Sequence, residues 1–460
     1  MRWITVRDRS AFLRLTGVLF LVYMATGLWS PLIAVYTASL GATTAQIGLV
    51  LATYQATALG SQYWWGRRSD RLGRRKPLLL LGTAGLGAAY LLIASVDHYR
   101  WLFAARMLEG VAMAAYTTGS LALIGDLLED QAGRGRLMGT YRTFGSLAFA
   151  IAALSGGWLA DRFGLRVPFL VAAGCYLLAC SVVARINERP AATPDLQERP
   201  PRPQEFPAAH SDSAAPQQGR RPSRSGVASL WSKQLASRAD QALRSEGSPD
   251  ASPVAPLSAR RALWPFLSLI FTWTFSMGAV VSLWPVYMSS IGYSKTAVGG
   301  LWALAALGEA PWMIVTGHLS DRWGRKWVML TGMSCMGGVF LAYTLSSAAA
   351  WLIGVQIVRS FAYACFEAPA LLYATELGLR RQRGRLAGLY YSASGLGGIA
   401  GSTIGGSIAQ QTGLPSMFRG VVALMLAMAL VVARTMPRLR PVHQEPDDLR
   451  LAPPGIKQQP

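Results

Sequence analysis

Long apolar stretches alternate with short polar segments along most of this 460-residue chain. Each stretch is long enough to cross the hydrocarbon core of a bilayer as a helix of roughly 20 residues. The sequence therefore predicts twelve spans, six in a first bundle (11–186) and six in a second bundle (262–436). The predicted spans are 11–36, 45–65, 78–96, 101–128, 137–160, 167–186, 262–290, 297–318, 327–346, 351–378, 386–410 and 417–436.

Polar segments flank and separate the two bundles. Residues 1–10 and 437–460 form tails, and an even number of spans places both tails on one side of the membrane. Residues 187–261 are rich in Pro, Ser, Gln and Arg and poor in aliphatic residues, so we expect a disordered basic linker. As an alternative within the linker, 229–244 forms a basic amphipathic helix on an anionic leaflet.

Basic residues concentrate in alternate loops. The formal net charge is +21, and one set of loops carries far more Lys and Arg than the other. The rich set comprises 67–76, Arg134, Arg136, 322–326 and 380–385, and the poor set Arg100, Arg162, Arg166, Lys295 and Arg419. By the positive-inside rule, the rich loops and both tails are cytoplasmic. This distribution, rather than a single basic patch, argues against nucleic-acid binding.

A basic motif lies between spans 2 and 3 and returns between spans 8 and 9. The first copy reads Gly-Arg-Arg-Ser-Asp-Arg-Leu-Gly-Arg-Arg (66–75), and the second Gly-His-Leu-Ser-Asp-Arg-Trp-Gly-Arg-Lys (317–326). Asp70 and Asp321 show the constant shift between the copies (321 − 70 = 251). A repeat of that length in an apolar chain predicts two copies of one membrane unit.

The motif resembles the loops between helices 2 and 3 and between helices 8 and 9 of the major facilitator superfamily (MFS), although Arg68 replaces the usual apolar residue. The resemblance implies an all-α membrane protein with the MFS fold, two pseudo-symmetric six-helix bundles around a central cavity. It also implies a latch that joins the bundles on the cytoplasmic side; the alternative is that these charges only set the topology. The implied latch residues are Gly66, Asp70, Arg71, Gly73, Arg74, Gly317, Asp321, Arg322, Gly324, Arg325, Asp126, Arg136, Glu376 and Arg385.

Ionisable side chains inside spans indicate function, because a charge at the bilayer centre costs about 2.5–3.5 kcal/mol or more. Glu309 in span 8 and Glu367 in span 10 are candidates for proton coupling. A desolvated carboxyl can hold a proton and release it when water or an arginine arrives. Arg359 is the candidate charge partner or anion anchor. The alternative is a static ion pair between helices.

Arg106 and Glu109 are three residues apart on span 4 and share a helix face. Arg106-x-x-x-Gly resembles an MFS helix-4 motif associated with proton coupling in antiporters. The Gly-Pro that precedes a Gly pair in many drug/proton antiporters is missing from span 5. Glu309 instead resembles the helix-8 glutamate of lactose-permease-like and phenylpropionate-permease-like symporters. These resemblances leave the direction of transport open.

Aromatic residues occupy spans that line the cavity in MFS proteins. We expect Trp29, Tyr54, Trp284 and Tyr287 to contact an organic substrate by stacking or hydroxyl hydrogen bonds. The commoner role of any one such residue is in the interfacial belt or facing lipid.

Composition narrows the function classes. Hydrophobic residues make up 52% of the chain and charged residues 15%, which is typical of membrane proteins. The four cysteines lie in apolar runs without a metal or disulfide spacing. We find no P-loop and no nucleophile–base set, so we expect no enzyme activity, cofactor or metal.

The sequence thus predicts a monomeric, multi-pass protein of the cytoplasmic membrane, with the lipid bilayer, a small organic solute and protons as its partners. It would be a secondary active transporter that works by alternating access. One alternative is a drug or sugar efflux antiporter. A second is a membrane assembly factor on an MFS scaffold that does not transport and uses the linker and tails to bind a partner.

Overall fold

The computed structural model describes residues 9–72, 74–128, 134–186, 257–376 and 383–436, and every regular element in these residues is a helix. The first half contains α1 (Arg9–Trp29), α2 (Ile33–Ser39), α3 (Thr44–Leu72), α4 (Lys76–Ser95), α5 (Tyr99–Leu128), α6 (Arg134–Phe163) and α7 (Arg166–Ala184). The second half contains α8 (Leu257–Ser276), a π-helix (Met277–Val281), α9 (Ser282–Ser290), α10 (Lys295–Trp323), α11 (Arg325–Ala342), α12 (Ala349–Glu376), α13 (Arg383–Thr412) and α14 (Leu414–Thr435).

The predicted amphipathic helix in the linker and the tail after residue 436 lie outside the described residues. The two halves together form one compact unit. Each of α1 to α7 corresponds, in order, to one of α8 to α14, so the repeat predicted from the motif extends over the whole described fold.

Nine helical stretches within the described ranges are long and apolar enough to cross a membrane. They are Ser10–Trp29, Lys76–Ser95, Tyr99–Gly125, Thr143–Phe163, Arg166–Ala184, Ala262–Ser290, Lys295–Trp323, Ala349–Ala374 and Leu414–Thr435. The three further predicted spans correspond to α3, α11 and α13. Helices α3 and α13 carry Gln, Ser and Thr side chains because they line the space between the halves.

The first span of each half is interrupted near a proline. Helix α1 ends before Pro31, and α2 resumes two residues after it. In the second half the π-helix lies directly before α9, which contains Pro285. Pro285 has no N–H to donate to the carbonyl of residue 281, and the helix locally adopts the π-helical form before it. Both spans then end at a glycine with positive φ, Gly41 (84°) and Gly292 (94°).

The repeat is also seen in the hydrogen bonds that join helices within each half. Tyr36 Oη donates to the Ile93 carbonyl at 3.0 Å, and Tyr287 Oη donates to the Tyr343 carbonyl, also at 3.0 Å. Lys76 Nζ donates to the Ala184 carbonyl at 2.7 Å, which ties the start of α4 to the end of α7. In the second half the same role falls to Lys326, whose Nζ lies 2.8 Å from the Ala433 carbonyl.

We call the side where α1 begins and α14 ends the terminal side, and the opposite side the distal side. The basic motif lies on the terminal side, but it is less of a loop than the sequence suggested. Residues 66–72 and 317–323 continue α3 and α10, so Gly66 and Gly317 are helical. In the second copy the turn is made by Gly324, whose φ of 86° favours glycine.

Candidate functional site

The distal side is closed by contacts that cross from one half to the other. Helix α3 packs against α13, where a Cβ on Gly48 would overlap the Ser402 carbonyl. Helix α10 packs against α6, where a Cβ on Gly299 would overlap the Ala153 carbonyl. These two contacts are exchanged by the repeat, and the missing side chains allow the backbones to approach closely.

On the distal side, the N-terminal ends of two helices are capped by side chains from the other half. The Asp161 carboxylate, at the end of α6, accepts the backbone N–H of Lys295 at 3.1 Å and that of Thr296 at 2.7 Å. It also accepts the Thr296 hydroxyl at 2.6 Å. At the repeat-related place, Gln410 Oε1 of α13 accepts the Ala45 N–H of α3 at 3.2 Å. These side chains satisfy N–H groups that have no partner within their own helix.

The described part of the terminal side is open. In the described residues, cross-half packing of α3 extends to Leu59, which contacts Gly395 of α13. Beyond this point Gln62 is exposed, and Tyr63 is 72% exposed. A space that is closed distally and open at the terminal side is therefore left between the halves.

Part of this space is a cavity of about 500 Å³, which we call the polar cavity. Both halves contribute to its wall, chiefly through α3, α8, the π-helix, α12 and α13. Its polar and aromatic lining residues are Tyr54, Gln55, Gln62, Trp273, Thr274, Ser282, Arg359, Tyr363, Glu367, Tyr391 and Ser394. The indole N–H of Trp273 donates to Glu367 Oε1 at 3.0 Å, which orients this carboxylate on the cavity wall.

A smaller cavity of about 230 Å³ adjoins the polar cavity, because Arg359 and Tyr363 line both. It is lined by Glu309, so the three ionisable residues predicted for span 8 and span 10 line two adjoining cavities. The Arg359 guanidinium carbon lies 5.7 Å from the Trp302 ring centroid. Within the described residues, no ion pair within 4 Å joins Arg359 to Glu309 or Glu367.

Arg106 and Glu109 line neither of these cavities and lie inside the first half, behind Tyr54 of the polar cavity wall. Arg106 Nη1 and Glu109 Oε2 are 2.5 Å apart, and their side chains are 3% and 0% exposed. Tyr90 Oη donates to Glu109 Oε1 at 2.6 Å. The guanidinium also lies over the Tyr54 ring at 4.5 Å and the Trp29 ring at 5.4 Å. This arrangement forms an enclosed ion pair within α5, covered by side chains from α1, α3 and α4.

Of the four predicted substrate-contacting aromatics, Tyr54 lines the polar cavity. The other three are packed elsewhere. Trp29 is buried against Tyr90, with its indole N–H 3.3 Å from the Tyr176 hydroxyl. Trp284 is 2% exposed and lies against the Tyr343 ring. Tyr287 packs edge-on to Phe418 near the distal end of its half.

Two arginines of the basic motif bind side chains of their own motif copy. Arg325 Nη1 donates to Asp321 Oδ1 at 2.8 Å and to Ser320 Oγ at 3.1 Å. Alignment of the copies pairs Arg325 with Arg74, but in the structure Arg75 takes this place and binds Ser69 Oγ at 2.7 Å. The side chains of Arg71, Arg74 and Arg322 are among the exposed ones. The side chains of Asp70, Asp126, Arg136, Glu376 and Arg385, and all of Gly73, lie outside the described residues.

Several cavity residues were not predicted, notably Gln55, Gln62, Tyr391 and Ser394. A signal exists in the sequence of α3. Gln55 and Gln62 are seven residues apart and therefore lie on the same face of the helix. Polar amides at this spacing in a predicted span indicate a wet surface.

Two repeated halves around a central cavity, with nine apolar helical stretches in the described ranges, define a multi-pass membrane transporter. A sequence profile of the Major Facilitator Superfamily matches residues 15–319 and 266–458. The chain belongs to this family.

Relatives over the full length include a maltose permease of Geobacillus stearothermophilus, 23% identical, with 90% of this chain and 92% of that protein aligned. A putative sugar efflux transporter of Deinococcus radiodurans is 26% identical over 90% of this chain and 95% of that protein. Among solved structures, a point mutant of the nucleoside transporter NupG matches with a TM-score of 0.72 and 14% identity. That match covers 93% of this chain and 100% of that chain.

Proposed function

We propose that this protein is a proton-coupled secondary transporter that moves a small organic solute by alternating access. The main support is the position of Glu309, Glu367 and Arg359 on the walls of two adjoining cavities between the halves. Ionisable residues inside membrane spans indicate function, and these carboxyl groups adjoin a space large enough for a small solute.

We infer that the terminal side is cytoplasmic, because the loops richest in Lys and Arg lie there. The structure then corresponds to an inward-open state. In this state Arg75 binds Ser69 and Arg325 binds Asp321, each within its own copy of the motif.

The test begins with purified protein and a thermal-stability screen against sugars, aromatic acids, nucleosides and organic cations. The panel member that raises the melting temperature is then followed in proteoliposomes. For Glu309→Gln and Glu367→Gln, we expect transport driven by a pH gradient to fall at least tenfold. Exchange of labelled for unlabelled solute should persist in at least one of them, because it needs no net proton movement.

The matched comparison is Arg106→Ala in the first half. Its side chain is enclosed and lies outside both cavities, so we expect proton-driven transport per folded molecule to remain within about twofold of wild type. If Arg106→Ala alone uncouples transport, the proposal for Glu309 and Glu367 fails and an efflux antiporter centred on Arg106 is favoured.

A further inference from the structure

A third cavity of about 400 Å³, which we call the apolar cavity, lies in the first half between α1, α5 and α6. It meets the smaller central cavity at Tyr23 and Phe149, which line both. The described lining contains no charged side chain. The lining residues are Leu19, Val22, Tyr23, Thr26, Met113, Tyr116, Thr117, Ser120, Leu121, Ile124, Tyr141 and Phe149.

The apolar cavity is the repeat-related counterpart of one wall of the polar cavity. Repeat partners in α1 and α8 are 251 positions apart, as in the two motif copies. In the α5 and α12 region the spacing is 250, as it is for Lys76 and Lys326 (326 − 76 = 250). The lining pairs, apolar cavity first, are Val22 and Trp273, Tyr23 and Thr274, Thr26 and Met277, Met113 and Tyr363, and Thr117 and Glu367.

The two cavity walls differ most at the positions of Glu367 and Trp273. Thr117 occupies the place of Glu367, and Val22 the place of Trp273, whose indole binds that carboxylate. One wall therefore offers a carboxylate among aromatic rings, and the other a neutral apolar surface with hydroxyl groups. A solute that contacts both walls needs one polar and one apolar end.

The charge of the polar end follows from the ionisable groups around the two central cavities. They carry two carboxylates, Glu309 and Glu367, against one guanidinium. Arg359 lines both central cavities, and the described hydrogen-bond partner of Glu367 is the neutral Trp273 indole. When all three are ionised, a negative charge remains, and Glu367 is the carboxylate available to a cation. Tyr363 and Tyr391 add ring faces that attract organic cations.

We propose that the apolar cavity is a second substrate subsite, and that the transported solute is an organic cation carrying an apolar ring. Its charged nitrogen lies at Glu367, and its ring lies beside Thr117 and Met113 in the first half. This inference rests on the proposed function, since it assigns a substrate class to the same central site.

Four probes test the assignment on the purified full-length protein: benzyltrimethylammonium, tetramethylammonium, phenylacetate and maltose. We expect benzyltrimethylammonium to raise the melting temperature and to bind roughly 10- to 100-fold more tightly than tetramethylammonium, because only the former buries a ring. Glu367→Gln should weaken binding of both cations by about tenfold or more. Equal affinity of the two cations, or preferential binding of phenylacetate or maltose, would overturn the assignment.

Filling the apolar cavity separates the two subsites. Thr117→Trp should abolish the advantage of benzyltrimethylammonium and leave tetramethylammonium binding unchanged. Leu108→Trp is the matched control, because Leu108 lies on the opposite, exposed face of α5. If Thr117→Trp does not fold, Thr117→Leu fills part of the same space and should reduce the advantage in the same direction. A ring preference that survives both substitutions contradicts the subsite.

The proposed transport function and the proposed substrate class can be disproved separately. If another solute is taken up in a proton-dependent manner through Glu309 and Glu367, the transporter function stands and only the cationic substrate class is wrong. If benzyltrimethylammonium binds as expected but no proton-dependent flux of it occurs in proteoliposomes, the subsite stands and the proposed coupling fails.

Discussion

Arg106 and Glu109 show how the surroundings of a single side chain determine what an intramembrane charge does. Both were predicted as further coupling candidates beside Glu309 and Glu367, because each is an ionisable residue inside an apolar span. The sequence does show that the two residues share a helix face. It cannot show that Tyr90 and Trp29 close around them, because these rings come from other helices. The aromatic candidates illustrate the same limit, since Tyr54 lies on a cavity wall while Trp284 is buried.

Removal of one partner of the Arg106–Glu109 pair should destabilise the first half. Arg106→Met leaves a buried carboxylate with one described hydrogen bond, and we expect a loss of about 3–5 kcal/mol in the free energy of unfolding. The double variant Arg106→Met with Glu109→Leu should recover most of this loss, because no charge remains buried. Unfolding in detergent, followed by circular dichroism, measures both.

The control for this prediction is Arg100→Met on the same helix, where the side chain is exposed and little change is expected. If the double variant is as unstable as Arg106→Met, the loss of stability does not come from the unpaired charge of Glu109.

At the scale of helices, the positions of the spans follow from the sequence, while the contacts between their ends do not. Apolar runs locate α4, α5 and α7 closely, and the repeat locates their counterparts. Asp161 and Gln410 appear in the sequence only as polar residues at the ends of two spans. Their role as caps depends on the starts of α10 and α3, which are more than 130 and 360 positions away along the chain.

The two distal caps should differ in strength. Asp161 offers a charged acceptor with three short hydrogen bonds, whereas Gln410 offers a neutral acceptor with one described bond. We expect Asp161→Ala to weaken distal closure by about 1–2 kcal/mol, and Gln410→Ala by less than half of that. Since 1–2 kcal/mol corresponds to a population change of about 5- to 30-fold, the effect is measurable.

The measurement is the distance distribution between spin labels at Phe163 of the first half and Gln411 of the second, both exposed on the distal side. Asp161→Ala should increase the fraction of long distances more than Gln410→Ala does. Equal distributions in the two variants would contradict the inference that the charged cap dominates.

At the scale of the whole molecule, the repeat can be predicted from the two copies of the motif. The conformational state cannot be predicted from the sequence in this way. Inward-open and outward-open states use the same helices, and each state stabilises one end of the central space at the expense of the other. The glycine contacts at Gly48 and Gly299 are compatible with rocking of one half against the other, because they bring backbones together without interlocking side chains. A sequence that must support both states cannot specify one of them strongly.

A reversible cross-link across the distal side tests whether this closure has to open during transport. In a background with the four native cysteines replaced by alanine or serine, Asp161→Cys and Thr296→Cys place two thiols where a hydrogen bond of 2.6 Å now joins the side chains. Oxidation should reduce transport at least tenfold and leave ligand binding from the terminal side intact, because the central cavity stays open there. Reduction should restore transport to the level of the unoxidised double variant, and each single-cysteine variant should be unaffected by oxidant. Transport that continues through fully cross-linked protein would mean that solute does not cross the distal side between α6 and α10, and the rocking of the two halves inferred from the repeat would then be wrong.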